Sequence, residues 1–172
     1  MQATKKFDLR TITLMGMLIT IEIILSRFCS LSAWNIKIGF SFVPVVAAAF
    51  LLGPLPAGIV AALGDFVGAL LFPIGVYFPG FTLTAFLTGL VFGALLHKKQ
   101  SLLRISAAVV INQLGLSLLL NTLWISVLYG SPYGPLLVTR LVQCAVLCPI
   151  QFLLIDVMTK TLLRYTQKKV AA

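Results

Sequence analysis

Apolar positions in this chain come in long unbroken runs, not in the two-residue alternation of a half-buried strand or the one-sided stripe of a surface helix. Six runs can be delimited: about Leu9 to Cys29, Gly39 to Leu52, Leu55 to Pro73, Gly80 to Leu96, Leu102 to Leu128 and Leu136 to Leu163. A helix crossing a bilayer needs ~20 apolar residues, and only the second run falls clearly short. Between the runs stand helix-ending residues: Gly53-Pro54-Leu55-Pro56, Phe72-Pro73-Ile74-Gly75, and Tyr129-Gly130-Ser131-Pro132-Tyr133-Gly134-Pro135. A polar break, His97-Lys98-Lys99-Gln100-Ser101, follows the fourth run. The pattern predicts an all-α, polytopic membrane protein. It has six transmembrane helices in a single membrane domain over residues 1–172. No cleavage site of small residues follows a short apolar core, so no removable signal peptide is expected.

Composition sharpens this picture. The chain is 60% hydrophobic and 10% charged, with mean hydropathy +1.08, values of a membrane protein. A net charge of +9 would suggest nucleic acid in a soluble domain. Here the basic residues gather at the ends of apolar runs and read as orientation signals, with no nucleic-acid partner expected. Six spans put both termini on one side. With that side cytoplasmic, the inner face holds Lys5, Lys6, Arg10, Lys98, Lys99, Arg104, Lys160, Arg164, Lys168 and Lys169. The outer side holds only Arg27, Lys37 and Arg140. This asymmetry predicts cytoplasmic N- and C-termini.

Charges inside the runs matter more. Asp65 is the only charged residue between Lys37 and Lys98. A carboxylate at that depth is costly unless it has a partner, so Asp65 is read as a functional group facing a cavity. Glu22, in the middle of the first run, is either a buried partner for another helix, the favoured reading, or a functional carboxylate. Asp156 and Lys160, four residues apart, are expected to pair. Arg27, Lys37 and Arg140 either snorkel to lipid head groups or line an outward-facing anionic site.

Much chemistry is excluded. No Gly-x-x-x-x-Gly-Lys-Ser/Thr loop exists to cradle ATP. One histidine and four acids offer no nucleophilic triad and no paired-carboxylate site, so neither an enzyme nor a resident cofactor is expected. Cys29, Cys144 and Cys148 read as small buried hydrophobes, with no disulfide framework and no metal site. The outer loops are rich in rings: Trp34 in the first, Tyr77, Phe78 and Phe81 in the second, Tyr129 and Tyr133 in the third. Asn121 and Trp124 lie near the outer end of the fifth run. Rings beside a lone carboxylate and outward cations suit a planar polar ligand with anionic ends. Small residues recur four apart, at Ala57 and Ala61, then at Gly64 and Gly68, at Ala85, Gly89 and Gly93, and at Gly16 and Thr20. Such faces allow helices to approach closely, within the bundle or against a partner.

Five stretches, in order, carry a resemblance. They are Leu25-Ser26-Arg27-Phe28, Leu63-Gly64-Asp65-Phe66-Val67-Gly68-Ala69-Leu70-Leu71-Phe72-Pro73, Tyr77-Phe78-Pro79-Gly80-Phe81-Thr82-Leu83-Thr84-Ala85, Asn121-Thr122-Leu123-Trp124 and Arg140-Leu141-Val142-Gln143. Over nearly its whole length the chain resembles the folate-specific substrate-binding S components of energy-coupling-factor (ECF) vitamin transporters. The resemblance implies a six-helix protein of the bacterial cell membrane, with an outward vitamin pocket capped by the first, third and fifth loops. It implies a transmembrane coupling subunit and two cytoplasmic ATPases as partners, with no ATP hydrolysis in this chain. It places Asp65 on the pteridine edge of folate and Arg27, Lys37 or Arg140 on its carboxylates. Trp34, Phe66, Tyr77, Phe78 and Trp124 would enclose the ligand, and Asn121 and Gln143 would orient it. Where the family's first helix carries Ala-x-x-x-Ala for docking, this chain reads Gly16-x-x-x-Thr20. The same architecture carrying riboflavin or a related heteroaromatic is the alternative. The outward cations argue against thiamine.

Overall fold

A computed structural model describes residues 8–33, 36–97 and 101–170. The chain folds as α1 (Leu9–Arg27), β1 (Ser30–Ala33), β2 (Ile36–Gly39), α2 (Phe42–Leu52), α3 (Pro54–Leu71) and α4 (Pro79–Leu96). It continues through α5 (Leu102–Val110), a wide-turned π segment (Ile111–Leu120), α6 (Asn121–Tyr129) and α7 (Tyr133–Val170). The π segment joins α5 and α6 into one continuous span, Leu102–Tyr129. Among the described residues, five helices are long and apolar enough to cross a membrane, and the eleven-residue α2 is the short second run. Leu9, Leu103, Val138 and Leu153 are well over half exposed, as a lipid-facing surface requires.

One element differs from the all-helical expectation. The first outer loop forms an antiparallel hairpin, with Ser30 opposite Gly39 and Ala33 opposite Ile36. The physical reason is local: Leu31 and Ala33, then Ile36 and Ile38, alternate with other residues as a short strand pair does. The hairpin packs against α1 and α7 at one end of the bundle.

The other end is marked by Gly53, which alone connects α2 to α3. Its φ of +100° is open to glycine and strained for any other residue. Pro54 then starts α3 with the φ a first helical turn needs. The His97 ring, at the end of α4, covers Gly53, and its Nδ1 lies 3.3 Å from the Phe50 carbonyl oxygen. Six residues of α2 are buried, because this short helix runs through the middle of the bundle.

The core gathers at the Gly53 end. It joins Val46, Ala48 and Ala49 of α2, Ala57 and Val60 of α3, Phe92 and Leu96 of α4, Ile105 and Ala108 of α5, and Ile155 of α7. Glycines set the closest approaches. A Cβ on Gly89 would run into the Ala57 carbonyl, and one on Gly93 into the Pro54 backbone, so α3 and α4 touch main chain to main chain. Gly64 and Gly68 serve differently: they make room for the side chains of Glu22 and Arg27 from α1. Lys160 and Asp156 form the expected pair on α7, at 2.6 Å.

Candidate functional site

With the core at one end, the hairpin end is hollow. A cavity of about 430 Å³ opens there, walled by α1, α3, α4, the π segment, α6 and α7 and rimmed by the 73–78 loop. That volume lies within the range of small-molecule sites.

Asp65 lies on its α3 wall, with its chemistry already arranged. The Thr82 hydroxyl donates to Asp65 Oδ2 at 2.9 Å. With that proton committed, the Tyr77 hydroxyl donates to Thr82 Oγ1 at 3.2 Å. Tyr77, Thr82 and Asp65 therefore form a line from loop to helix that fixes the carboxylate and leaves Oδ1 for another donor. The Arg27 Nη2 donates to the Asp65 backbone carbonyl at 3.3 Å, holding its guanidinium over Gly68 and beside the cavity.

Arg140 is turned fully inward from α7. It is 5% exposed, and its Nε and Nη1 have no hydrogen-bond partner among the described residues. A snorkelling arginine keeps its head in water, which this one does not. A guanidinium held out of water and short of acceptors is a ready site for a carboxylate.

The structure brings Arg27, Asp65, Tyr77, Phe78, Asn121, Arg140 and Gln143 to one cavity. Two expected residues stand one layer behind it. Trp124 does not line the cavity: its ring packs on Phe78 at 5.6 Å and its Nε1 donates to Thr84 Oγ1 at 3.0 Å. Phe66 is also off the wall, edge-on to Tyr77 at 5.7 Å. Both rings brace the rings that do face the cavity. The reason is helix geometry: each neighbours a wall residue, and one step along a helix turns the side chain by about 100°. Trp34 and the Lys37 side chain lie outside the described residues.

The cavity also holds residues the sequence reading passed over or assigned elsewhere. Glu22, read first as a structural partner, is buried against Gly64 and lines the cavity as well. Asn112, Gln113, Ser117 and Gln151 add polar groups from the π segment and α7. Their signal in the sequence is polarity inside apolar runs, the same signal that marked Asp65.

The proposed docking positions are elsewhere. Gly16 and Thr20 lie exposed on α1, and a Cβ on Gly16 would meet nothing within 4 Å. The Thr20 hydroxyl donates back to the Gly16 carbonyl at 3.0 Å, and the exposed side chains of Ile12, Met17, Ile21 and Ile24 stand elsewhere on the same helix. Among the described residues no cluster of His, Cys, Asp and Glu could hold a metal ion.

Comparison with known proteins agrees in sequence and in shape. The chain is 43% identical over 142 residues to the folate transporter FolT of Clostridium novyi (strain NT), covering 82% of this chain and 83% of that protein. It is 29% identical over 153 residues to the folate transporter FolT of Leuconostoc mesenteroides, covering 85% and 82%. The crystal structure of FolT bound with folic acid superposes with a TM-score of 0.86 at 35% identity, covering 90% of this chain and 95% of that one. Residues 10–159 match the family model of the ECF transporter substrate-specific component, and the chain belongs to that family.

Proposed function

We propose that this chain is the membrane-embedded folate-binding subunit of an ECF importer. It captures folate at the hairpin end and delivers it across the membrane when docked on its coupling module. The observation that carries the reading is the pairing of opposite chemistries in one cavity: a carboxylate fixed by Thr82 and Tyr77, and a buried guanidinium short of acceptors. Asp65 accepts from the amino edge of the pteridine, while Arg140 and Arg27 meet the glutamate carboxylates. Tyr77 and Phe78 cover the rings, and Gln143 and Asn121 orient the ligand. The relatives named as folate transporters, and the related fold holding folic acid, support folate over riboflavin.

The test is equilibrium binding by the purified, detergent-solubilised protein, followed by the fluorescence of Trp34 and Trp124, with riboflavin, biotin and thiamine as competitors. Selective folate binding supports the reading; tight binding of another vitamin moves the ligand and keeps the architecture. In the same assay Asp65→Ala is expected to lower affinity by roughly tenfold to a hundredfold, the worth of a hydrogen bond to a charged group. Unchanged affinity would remove Asp65 from the site.

Both termini belong on the cytoplasmic side in this reading. Arg27 and Arg140 line the cavity, so the outer loops keep few orienting cations against ten inner ones, which supports that orientation. The partners are a transmembrane coupling subunit, met through Gly16 and Thr20, and two cytoplasmic ATPases that supply the energy. Gly16→Trp is expected to leave folding and folate binding intact, because the site is open, and to block assembly with the coupling subunit. Co-purification checks this, and intact assembly would place the docking face elsewhere.

A further inference from the structure

The fifth span lines the cavity with Asn112, Gln113, Ser117 and Asn121. Asn112 and Asn121 are nine residues apart. At about 3.6 residues per turn, nine residues make two and a half turns, which would put them on opposite sides of an α-helix. They share one wall because the helix between them is wide. The π segment opens at Ile111 and closes at Leu120, so Asn112 lies in its first turn and Asn121 follows directly after its end. The Asn121 N–H donates to the Leu116 carbonyl, five residues back. With that bonding a turn takes about 4.4 residues, and nine residues make two turns. Ser117, five residues after Asn112 and four before Asn121, falls on the same line.

Wide turns are uncommon, are mostly single, and concentrate at functional sites. This one extends over ten residues. It delivers groups that the chain itself leaves unmatched: Asn112 Oδ1 and Nδ2, Gln113 Oε1 and Asn121 Oδ1 are buried without a hydrogen-bond partner among the described residues. Amides both donate and accept, which suits a neutral ring edge of alternating donors and acceptors better than a carboxylate. Position along the spans agrees. Arg27 ends α1 at the hairpin end and Arg140 is in the second turn of α7, whereas Asn112 lies deep in its span. Arg27 sits toward the mouth and Asn112 and Gln113 toward the floor, with Asn121 at about the depth of Arg140, since each is seven or eight residues in from the loop that joins α6 to α7.

We propose that Asn112, Ser117 and Asn121, aligned by the π segment, form a specificity-determining rung that reads the hydrogen-bonding edge of the ligand's heteroaromatic ring, in the cavity that Asp65 also lines. This rests on the folate-binding reading and extends it along the fifth span from Asn121 down to Asn112. The rung selects the ring; the arginines select the anionic tail.

The test compares folate with pteroate, which has the same ring and lacks the glutamate. Asn112→Leu is close in size and removes an unmatched amide, so it should fold. It is expected to weaken folate and pteroate binding by the same factor, about tenfold or more. Arg140→Met should weaken folate far more than pteroate. If Asn112→Leu cannot be purified, Asn121→Leu and Ser117→Ala carry the same comparison. Loss for folate alone would assign the rung to the tail and overturn the proposal, as would unchanged affinity for both. Failure of the unaltered protein to bind folate would instead remove the folate reading itself.

Discussion

Arg140→Met is expected to make the empty protein more stable and nearly unable to hold folate. The two effects have one cause. In the empty cavity the guanidinium has left water without gaining acceptors for Nε and Nη1, so the fold carries an uncompensated desolvation cost. Methionine fills much of the same space without it, and replacing buried charges by apolar groups often stabilises by about 1–4 kcal/mol. In the proposed binding mode the same guanidinium would face a folate carboxylate in a site screened from water. Removing one member of such a pair typically costs about 2–5 kcal/mol, or between thirtyfold and several thousandfold in affinity. Thermal unfolding with and without folate reads both at once: a higher midpoint without ligand, and a ligand-induced rise that shrinks to little. A midpoint that falls without ligand would mean Arg140 has a structural partner in the protein.

Gly93→Leu is expected to abolish the folded protein. A Cβ at this position already meets the Pro54 backbone, and a leucine adds three more carbons to the seam between α3 and α4. Overpacking a core usually costs about 1–3 kcal/mol because side chains can yield. Here the obstacle is main chain, so the helices must part and a cost above about 3 kcal/mol is expected. Separation would also loosen the His97 cover over Gly53, since His97 closes the same helix. Yield and monodispersity in size-exclusion chromatography check this, with Gly16→Trp as the control in which a much larger side chain meets open space. A monodisperse Gly93→Leu would show that the seam can widen.

Most of this architecture is legible in the sequence because a bilayer enforces simple rules. Apolar run length marks the spans, and Gly53-Pro54 or Gly130 mark their ends. A lone Asp65 is visible because charge inside an apolar run needs a reason, whereas Arg140, near the start of the last run, reads equally as a snorkelling cation and as part of a site. What was not legible depended on facing and on backbone detail. Trp124 and Phe66 are the right residue types one layer too far back, since ring identity says nothing of which side of a helix it occupies. Asn112 and Ser117 escape a reading at the α-helical period, because only the wider turn aligns them. The hairpin was passed over because four-residue strands next to a membrane look like any short loop. Glu22 reads in the sequence as a helix partner before a functional carboxylate, and it packs against Gly64 while lining the cavity.

The unmatched groups in the cavity wall bear also on how long the protein lasts. A ligand that binds only the folded chain stabilises it by mass action, by about 2.7 kcal/mol at a hundred times its dissociation constant. Shifts of 1–2 kcal/mol are enough to change the amount of a protein that survives quality control several-fold. On the proposed reading, plentiful vitamin would keep the empty form rare and its turnover slow. Scarce vitamin would leave more copies with Arg140 and the amides uncompensated, and clearance is then expected to rise. The cavity proposed to recognise the vitamin would thereby couple the abundance of its own carrier to vitamin supply.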